Sequence, residues 1–298
     1  MELTEGCNRF CTFCGIRSIR TRAGEDLKFL SLEMAGKIAG GLAALAPNAR
    51  LEFAMHGEPT LNPNHERILA GFHKVLPNAQ IQLTTNGKLL LRDIVDGTGR
   101  LFRAGVNLLV VDTYDTEREA LRKAAQLLPA AGIKVFDFFE DEACPSPWGN
   151  HRGKVQRTVV LMDDLARRSG EKRQKRITNQ AGNGKQAPIP AEPLKAICTM
   201  PFREMSVCWN GNVCICCNDW SQEFVAGNVG EQPLSTIWNG DRMQAVRRIL
   251  FARSREFQPC AKCDVGSGNR CGLVDPQAPP TDKDWEIVRT QYKEIGNG

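Results

Sequence analysis

No run of about 18 apolar residues occurs along these 298 residues, which excludes a helix that spans a membrane. The N-terminus has no basic segment leading into an apolar one. No secretory signal is read there, and the sequence predicts a cytoplasmic protein. No internal repeat is present. Charge of one sign is also in short supply: the net value of +5 permits an anionic partner without requiring one. What the chain has in excess is cysteine, twelve residues in all. Without a route to an oxidising compartment, tightly spaced cysteines point to metal binding or redox chemistry rather than to disulfides. With 42% hydrophobic residues, the chain can fill one large core, or a medium and a small one.

The first part alternates strand and helix patterns. Strands are predicted at Leu51–Met55, Ile81–Thr84, Val106–Asp112 and Lys134–Phe139, with amphipathic helices at Glu66–Val75 and Thr116–Ala131. Val106–Asp112 is apolar and β-branched, as suits a parallel strand buried on both faces. This order implies βαβ units and a parallel sheet, hence an α/β fold. Pro145, Pro147 and Gly149 mark a loop, and Thr158–Met162 is a further strand candidate. Gly182–Pro193 reads as a linker. Eight of the twelve cysteines lie from Cys198 to Cys271, so a boundary is placed near residue 190, giving domains 1–190 and 191–298. Asp284–Glu294 is predicted as a terminal helix.

Near the N-terminus the sequence runs Glu5-Gly6-Cys7-Asn8-Arg9-Phe10-Cys11-Thr12-Phe13-Cys14. Three thiolates spaced C-x3-C-x2-C can wrap one iron–sulfur cube, whose usual ligand set is four cysteines. Three local ligands leave one iron open. A zinc site more often comes as paired C-x2-C units. The motif resembles the signature of the radical S-adenosylmethionine (SAM) superfamily. That resemblance implies that SAM chelates the open iron of a [4Fe–4S] cluster on Cys7, Cys11 and Cys14. It implies reductive cleavage of SAM to a radical that removes hydrogen from an unactivated carbon. In the family the residue before the last cysteine is usually aromatic and lies near the adenine; here it is Phe13. His56-Gly57-Glu58-Pro59 follows a strand where the family carries Gly-Glu-Pro near the SAM amino group, with Glu58 a candidate acceptor from the ammonium. Thr85 and Asn86 end the next strand, and Asp112, ending the one after, is a candidate for the ribose hydroxyls. Each is an ordinary turn piece by itself, and their order after the cysteine motif is what gives them weight. The implied fold is a partial (β/α)6 barrel whose ligands meet the C-terminal ends of the strands. Cys7 comes so early that the first strand is predicted to be very short.

The later cysteines follow Cys198-x12-Gly211-x4-Cys216 and then, 43 residues on, Cys260-x2-Cys263. Asn210-Gly211 is a hairpin turn pair. This pattern resembles the SPASM/Twitch branch of the superfamily. Full SPASM domains carry seven cysteines for two clusters, and after Cys263 only Cys271 remains here. The closer match is the Twitch form, with one auxiliary [4Fe–4S] cluster on Cys198, Cys216, Cys260 and Cys263, and with Cys271 able to replace one ligand. A small-molecule dehydrogenase of that type acts on an amino-cyclitol. Four thiolates in two groups also suit structural zinc. Of the remaining cysteines, Cys144 and Cys217 are candidate hydrogen donors for a radical epimerase. The ordinary role of such residues is that of a small buried hydrophobe.

From Arg152 to Arg176 there are nine Lys/Arg against three Asp/Glu, a candidate anion-binding stretch or a solvated helix face. Related enzymes carry an Asn/Arg-rich segment facing the substrate, which makes Arg176 and Asn179 candidate pocket residues. The favoured function is oxidation, epimerisation or rearrangement of a small molecule. SAM and two [4Fe–4S] clusters are the implied cofactors, and a flavodoxin or ferredoxin the implied electron donor. The auxiliary cluster, with four protein ligands, would move electrons. Alternatives are modification of a nucleotide or nucleic-acid base, a peptide or protein maturase, and a zinc-held nucleic-acid-binding module without catalysis. A maturase usually has a leader-binding domain before the barrel, and none is read here.

Overall fold

The computed structural model describes residues 1–114, 117–149, 151, 155–163, 178–185, 187–266 and 278–290. The chain forms two compact units. One contains Met1–Glu5 and the described part of Lys28–Gln174; the other contains Gly6–Leu27 and the described part of Lys175–Gly298. A single cut near residue 190 therefore does not follow the packing, because the segment carrying Cys7, Cys11 and Cys14 belongs to the same unit as the later cysteines.

The first unit opens with the two-residue strand β1 (Thr4–Glu5), paired antiparallel with β2 (Lys28–Phe29). Buried Asn62 ties their neighbours together, its Nδ2 donating to the carbonyls of Leu3 (2.8 Å) and Leu30 (3.0 Å). Five further strands form one parallel sheet: β3 (Arg50–Phe53), β4 (Gln80–Thr85), β5 (Leu108–Thr113), β6 (Lys134–Asp137) and β7 (Thr158–Asp163). Their spatial order is β3-β4-β5-β7-β6, so the last strand in sequence sits between the two before it. Helices α2 (Leu32–Leu45), α3 (His65–Val75), α4 (Ile94–Arg103) and α5 (Arg118–Ala125) follow their strands in the order that βαβ crossovers require. The parallel sheet and its helices fit a partial barrel.

Strand alternation gives the sheet two faces. On one face Leu51, Phe53, Ile81, Leu83, Leu109, Val111, Val159 and Leu161 are buried, and Phe53 meets Phe72 of α3 edge to face at 5.2 Å. The other face is apolar on β5 and β7 (Leu108, Val110, Val160, Met162) and polar on β3 and β4. At the polar part, Arg50 donates to Glu52 Oε2 (2.7 Å), Gln82 Oε1 (3.1 Å) and the Pro147 carbonyl (2.5 Å). Gln80 Oε1 accepts from the His151 N–H at 2.5 Å. These partners lie at the first residues of β3 and β4, so the loop with Pro147 and His151 closes the N-terminal end of the strands. The C-terminal end is the one that α/β barrels use for ligands.

In the second unit α1 (Ile16–Ile19) follows the cysteine motif. Strands β8 (Ser206–Val207), β9 (Asn212–Cys214) and β10 (Val225–Asn228) form an antiparallel sheet. Gly211, with φ of +85°, makes the turn into β9, a conformation glycine adopts without a Cβ clash. Helices α6 (Met200–Arg203), α7 (Leu234–Asn239), α8 (Asp241–Phe251) and α9 (Asp282–Arg289) complete it. α9 starts with a capping box between Thr281 and Asp284.

Two expected elements are shorter than the sequence suggests. The helix after β5 begins at Arg118 and gives way at Pro129–Ala131 to a tighter turn. The strand from Lys134 stops at Asp137, whose Oδ1 accepts from the Phe139 N–H and turns the chain. Among the described residues no helix is long and apolar enough to cross a membrane.

Candidate functional site

At the C-terminal ends of β3, β4 and β5 the predicted SAM-binding segments stand side by side. Gly57-Glu58-Pro59 follows β3, Thr85-Asn86 closes β4, and Asp112 lies at the end of β5 with Tyr114 Oη 3.5 Å from its Oδ2. Glu58 is buried, and its carboxylate is engaged by the protein itself. Oε1 accepts from the Thr60 N–H (3.1 Å), the Thr60 hydroxyl (2.5 Å) and the Thr85 hydroxyl (2.7 Å). Oε2 accepts from the Asn86 N–H at 2.8 Å. Besides its expected place near a ligand ammonium, Glu58 joins the β3 and β4 ends, with three donors on Oε1 and one on Oε2. The Gly87 N–H in turn donates to Thr85 Oγ1 at 3.1 Å. Gly87 has φ of +69°, and a Cβ there would fall 2.7 Å from Val111 Cγ1. Only glycine fits that turn.

In the second unit the Cys7–Cys14 segment is a tight loop. The Cys14 N–H donates to the Cys11 carbonyl (3.2 Å) and the Gly24 N–H to the Cys7 carbonyl (2.8 Å). The Arg9 N–H lies 3.3 Å from Cys7 Sγ. Burial pushes the Cys14 thiol up to about 11; the Ile16 N–H works against that and the Cys11 sulfur with it. The loop is fixed from behind by the Gly15 N–H, 2.6 Å from Gln180 Oε1. A Cβ on Gly15 would collide with Gln180 and Trp220, and one on Gly184 would press on the Phe13 carbonyl. The segment around Gln180, read from sequence as facing the substrate, is the backing of the cysteine loop.

Cys198, Cys216, Cys260 and Cys263 all line one cavity, with Ile215, Leu250, Pro201, Val265 and Arg255 among its other walls. Main-chain N–H groups lie on two of the sulfurs: Asn218 on Cys216 (3.3 Å) and Val265 on Cys263 (3.4 Å). Burial holds the Cys260 thiol well above its ordinary value; Cys198 and Cys263 add to this, and Arg255 opposes it. Cys216 is raised chiefly by its hydrogen bond with Cys217 and then by burial. The donor set fits an iron–sulfur cluster: sulfur ligands from separate chain segments, an apolar wall, and N–H groups aimed at sulfur.

Other candidates are placed differently. Asn179 is fully buried, its Nδ2 donating to the carbonyls of Lys262 (2.7 Å) and Pro188 (3.2 Å), while its Oδ1 accepts from the Gly182 and Asp264 N–H groups. The expectation that it lines a substrate pocket is corrected: its bonds are spent on holding the chain next to Cys263. Cys144 packs against Leu108, Val110, Val160 and Met162, and burial, with Asp141 and Asp137 adding, raises its thiol to about 11. Cys217 is half-buried beside Cys216. Arg176 and Cys271 lie outside the described residues. His56, next to Gly57, is fully buried with its Nδ1 3.1 Å from Glu2 Oε1. Sequence reasoning missed Arg255, a long polar side chain in a segment without a motif, and the backing role of Gln180 in the Asn/Arg-rich segment.

A family model for the radical SAM superfamily matches residues 1–137, and one for an iron–sulfur cluster-binding domain, SPASM, matches residues 198–264. Together with the cysteine loop, the parallel sheet and the four-cysteine cavity, these define an iron–sulfur enzyme that uses SAM. The chain belongs to the SPASM branch of the radical SAM superfamily. It is 25% identical over 268 residues to an S-adenosyl-L-methionine-dependent 2-deoxy-scyllo-inosamine dehydrogenase of Niallia circulans, covering 89% of this chain and 91% of the relative. The crystal structure of BtrN in complex with AdoMet and 2-DOIA has a TM-score of 0.65 at 22% identity, covering 89% of this chain and 91% of that one. BtrN in an open conformation has a TM-score of 0.57 at 20% identity, covering 93% and 94%.

Proposed function

We propose that the chain is a radical SAM dehydrogenase that oxidises a hydroxyl-bearing carbon of a small polar molecule of the amino-cyclitol or polyol class. The observation that carries the reading is the single cavity lined by Cys198, Cys216, Cys260 and Cys263. Four protein sulfurs leave no donor position for substrate, so this site serves electron transfer, as a net oxidation requires. The likeness to a SAM-dependent dehydrogenase over 89% of the chain supports the same choice.

In this reading Cys7, Cys11 and Cys14 hold the first [4Fe–4S] cluster and the four later cysteines hold the second. Bound there, SAM and the clusters supply one-electron chemistry: reductive cleavage at the first site and electron acceptance at the second. Phe13, Gly57, Pro59, Thr85, Asn86 and Asp112 bind and orient SAM. Glu58 fixes Thr85 and Asn86 for that task. An oxidation leaves no hydrogen-donor role for Cys144 or Cys217. An external reductant of the flavodoxin or ferredoxin type starts each turnover.

The test is anaerobic reconstitution, an iron and sulfide count, and an assay of 5′-deoxyadenosine with amino-cyclitols deuterated at each carbinol carbon. About eight irons per chain and deuterium in 5′-deoxyadenosine are expected. Cys11→Ala should abolish 5′-deoxyadenosine formation. Zinc in place of iron, with no SAM cleavage, would sink the reading.

A further inference from the structure

We propose that Arg255 is a positioning and charge-compensating residue for the second cluster, holding its ligand segments together and raising its reduction potential. This rests on the two-cluster reading above. Arg255 is 1% exposed, one of the largest fully buried side chains in the protein, and it lines the four-cysteine cavity. Its Nε donates to the Ala196 carbonyl (3.0 Å), its Nη2 to the Ile197 carbonyl (3.3 Å) and its Nη1 to the Val265 carbonyl (2.7 Å). The first two precede Cys198 directly, and Val265 is two residues past Cys263. One guanidinium thus pins both segments against the cavity.

All three of these bonds go to neutral main-chain carbonyls. A buried guanidinium stays protonated, and burying it without an opposite charge is costly. The compensating charge is supplied by the cavity itself once four thiolates occupy it. A [4Fe–4S] centre on four thiolates is a dianion when oxidised and a trianion when reduced, so a fixed neighbouring cation favours the reduced state. Three other charges are near, of which Asp264, next to Cys263, accepts from the Asn179 N–H through Oδ1 at 2.8 Å. Asp219 is buried, its carboxylate accepting from the Glu223 (2.7 Å) and Phe224 (2.9 Å) N–H groups. Lys262 is partly exposed and paired with Glu223 at 3.1 Å. Arg255 is the cation that the cavity wall itself contributes. A higher potential makes the second site a better electron acceptor, as a dehydrogenase turnover needs.

The test uses the full chain carrying both clusters and a redox titration followed by electron paramagnetic resonance, with the first cluster's potential as internal reference. Arg255→Gln is expected to lower the second potential enough to cut the one-electron reduction constant about tenfold, equivalent to about 59 mV. Arg255→Lys, which keeps the charge and loses the three-way clasp, is expected to stay near the parent. A loaded R255Q with the parent's potential overturns the assignment. Should R255Q fail to hold its second set of irons, R255K decides: full loading at the parent's potential supports it, and failure alongside R255Q overturns it by making the role architectural alone. A parent chain that loads iron only at the first site defeats the two-cluster reading itself, and this assignment with it.

Discussion

At the scale of single residues, the motif-bearing side chains do two kinds of work. In the proposed reading the cysteines are donors, grouped in the first motif by its C-x3-C-x2-C spacing and in the second by the family resemblance. Glu58 is different. Its motif position suggests contact with SAM, yet its carboxylate gathers two hydroxyls and two N–H groups from Thr60, Thr85 and Asn86. Glu58→Gln turns one acceptor into a donor facing those donors. It should destabilise the fold by roughly 1–3 kcal/mol, read from chemical unfolding, and weaken SAM binding through the loosened 85–87 turn. Unchanged stability would mean that the strut carries no weight. Asn179 shows the limit of carrying a motif over by position: a residue type suited to a substrate pocket is, in the folded chain, wholly bonded to main chain beside Cys263.

At the scale of elements, each parallel strand was legible as a short apolar run between helical patterns, and the order of the strands was not. Pairing is long-range, and nothing local in Thr158–Asp163 names its neighbours. A signal did exist. Thr158-Val159-Val160-Leu161-Met162 has no charge, as suits a strand covered on both faces, whereas Lys134-Val135-Phe136-Asp137 is charged at both ends, as suits an edge. Of the second unit's helices the last was legible in the sequence, and a charged clasp helps to hold it. Arg248 of α8 donates through Nε to Asp284 Oδ2 at 3.0 Å at the start of α9. That bond, followed by the Thr281 groups, holds the Asp284 carboxyl down at about 2, below its ordinary 3.8. A depressed carboxylate stabilises the fold above its unfolded value and stops doing so as pH falls through the folded one. Asp284→Asn should therefore cost about 2 kcal/mol at neutral pH, roughly half that at pH 3, and little below pH 2, measured by unfolding at each pH. A cost that does not change with pH would assign the effect to the cap and not to the charge.

At the scale of the whole molecule, the two cysteine groups share one compact unit although about 180 residues separate them in sequence. The sheet unit holds the Gly-Glu-Pro, Thr-Asn and Asp112 segments. Cys260→Ala should remove about four irons per chain while SAM binding persists, since the Cys7–Cys14 loop keeps its own backing from Gln180. An unchanged iron count would show that the four-cysteine cavity takes no cluster. Equilibrium binding of SAM to the reconstituted variant, beside the iron assay, checks both halves.

The loop of Cys7, Cys11 and Cys14 also has a history set by the direction of synthesis. Gln180, Gly184 and Trp220, which back it, leave the ribosome more than 160 residues after it. At about 5–20 residues per second, that is a wait on the order of ten to thirty seconds. Throughout it, three thiols stand without the surface that shapes them. In the proposed reading, cluster delivery to this loop therefore follows the translation of Trp220.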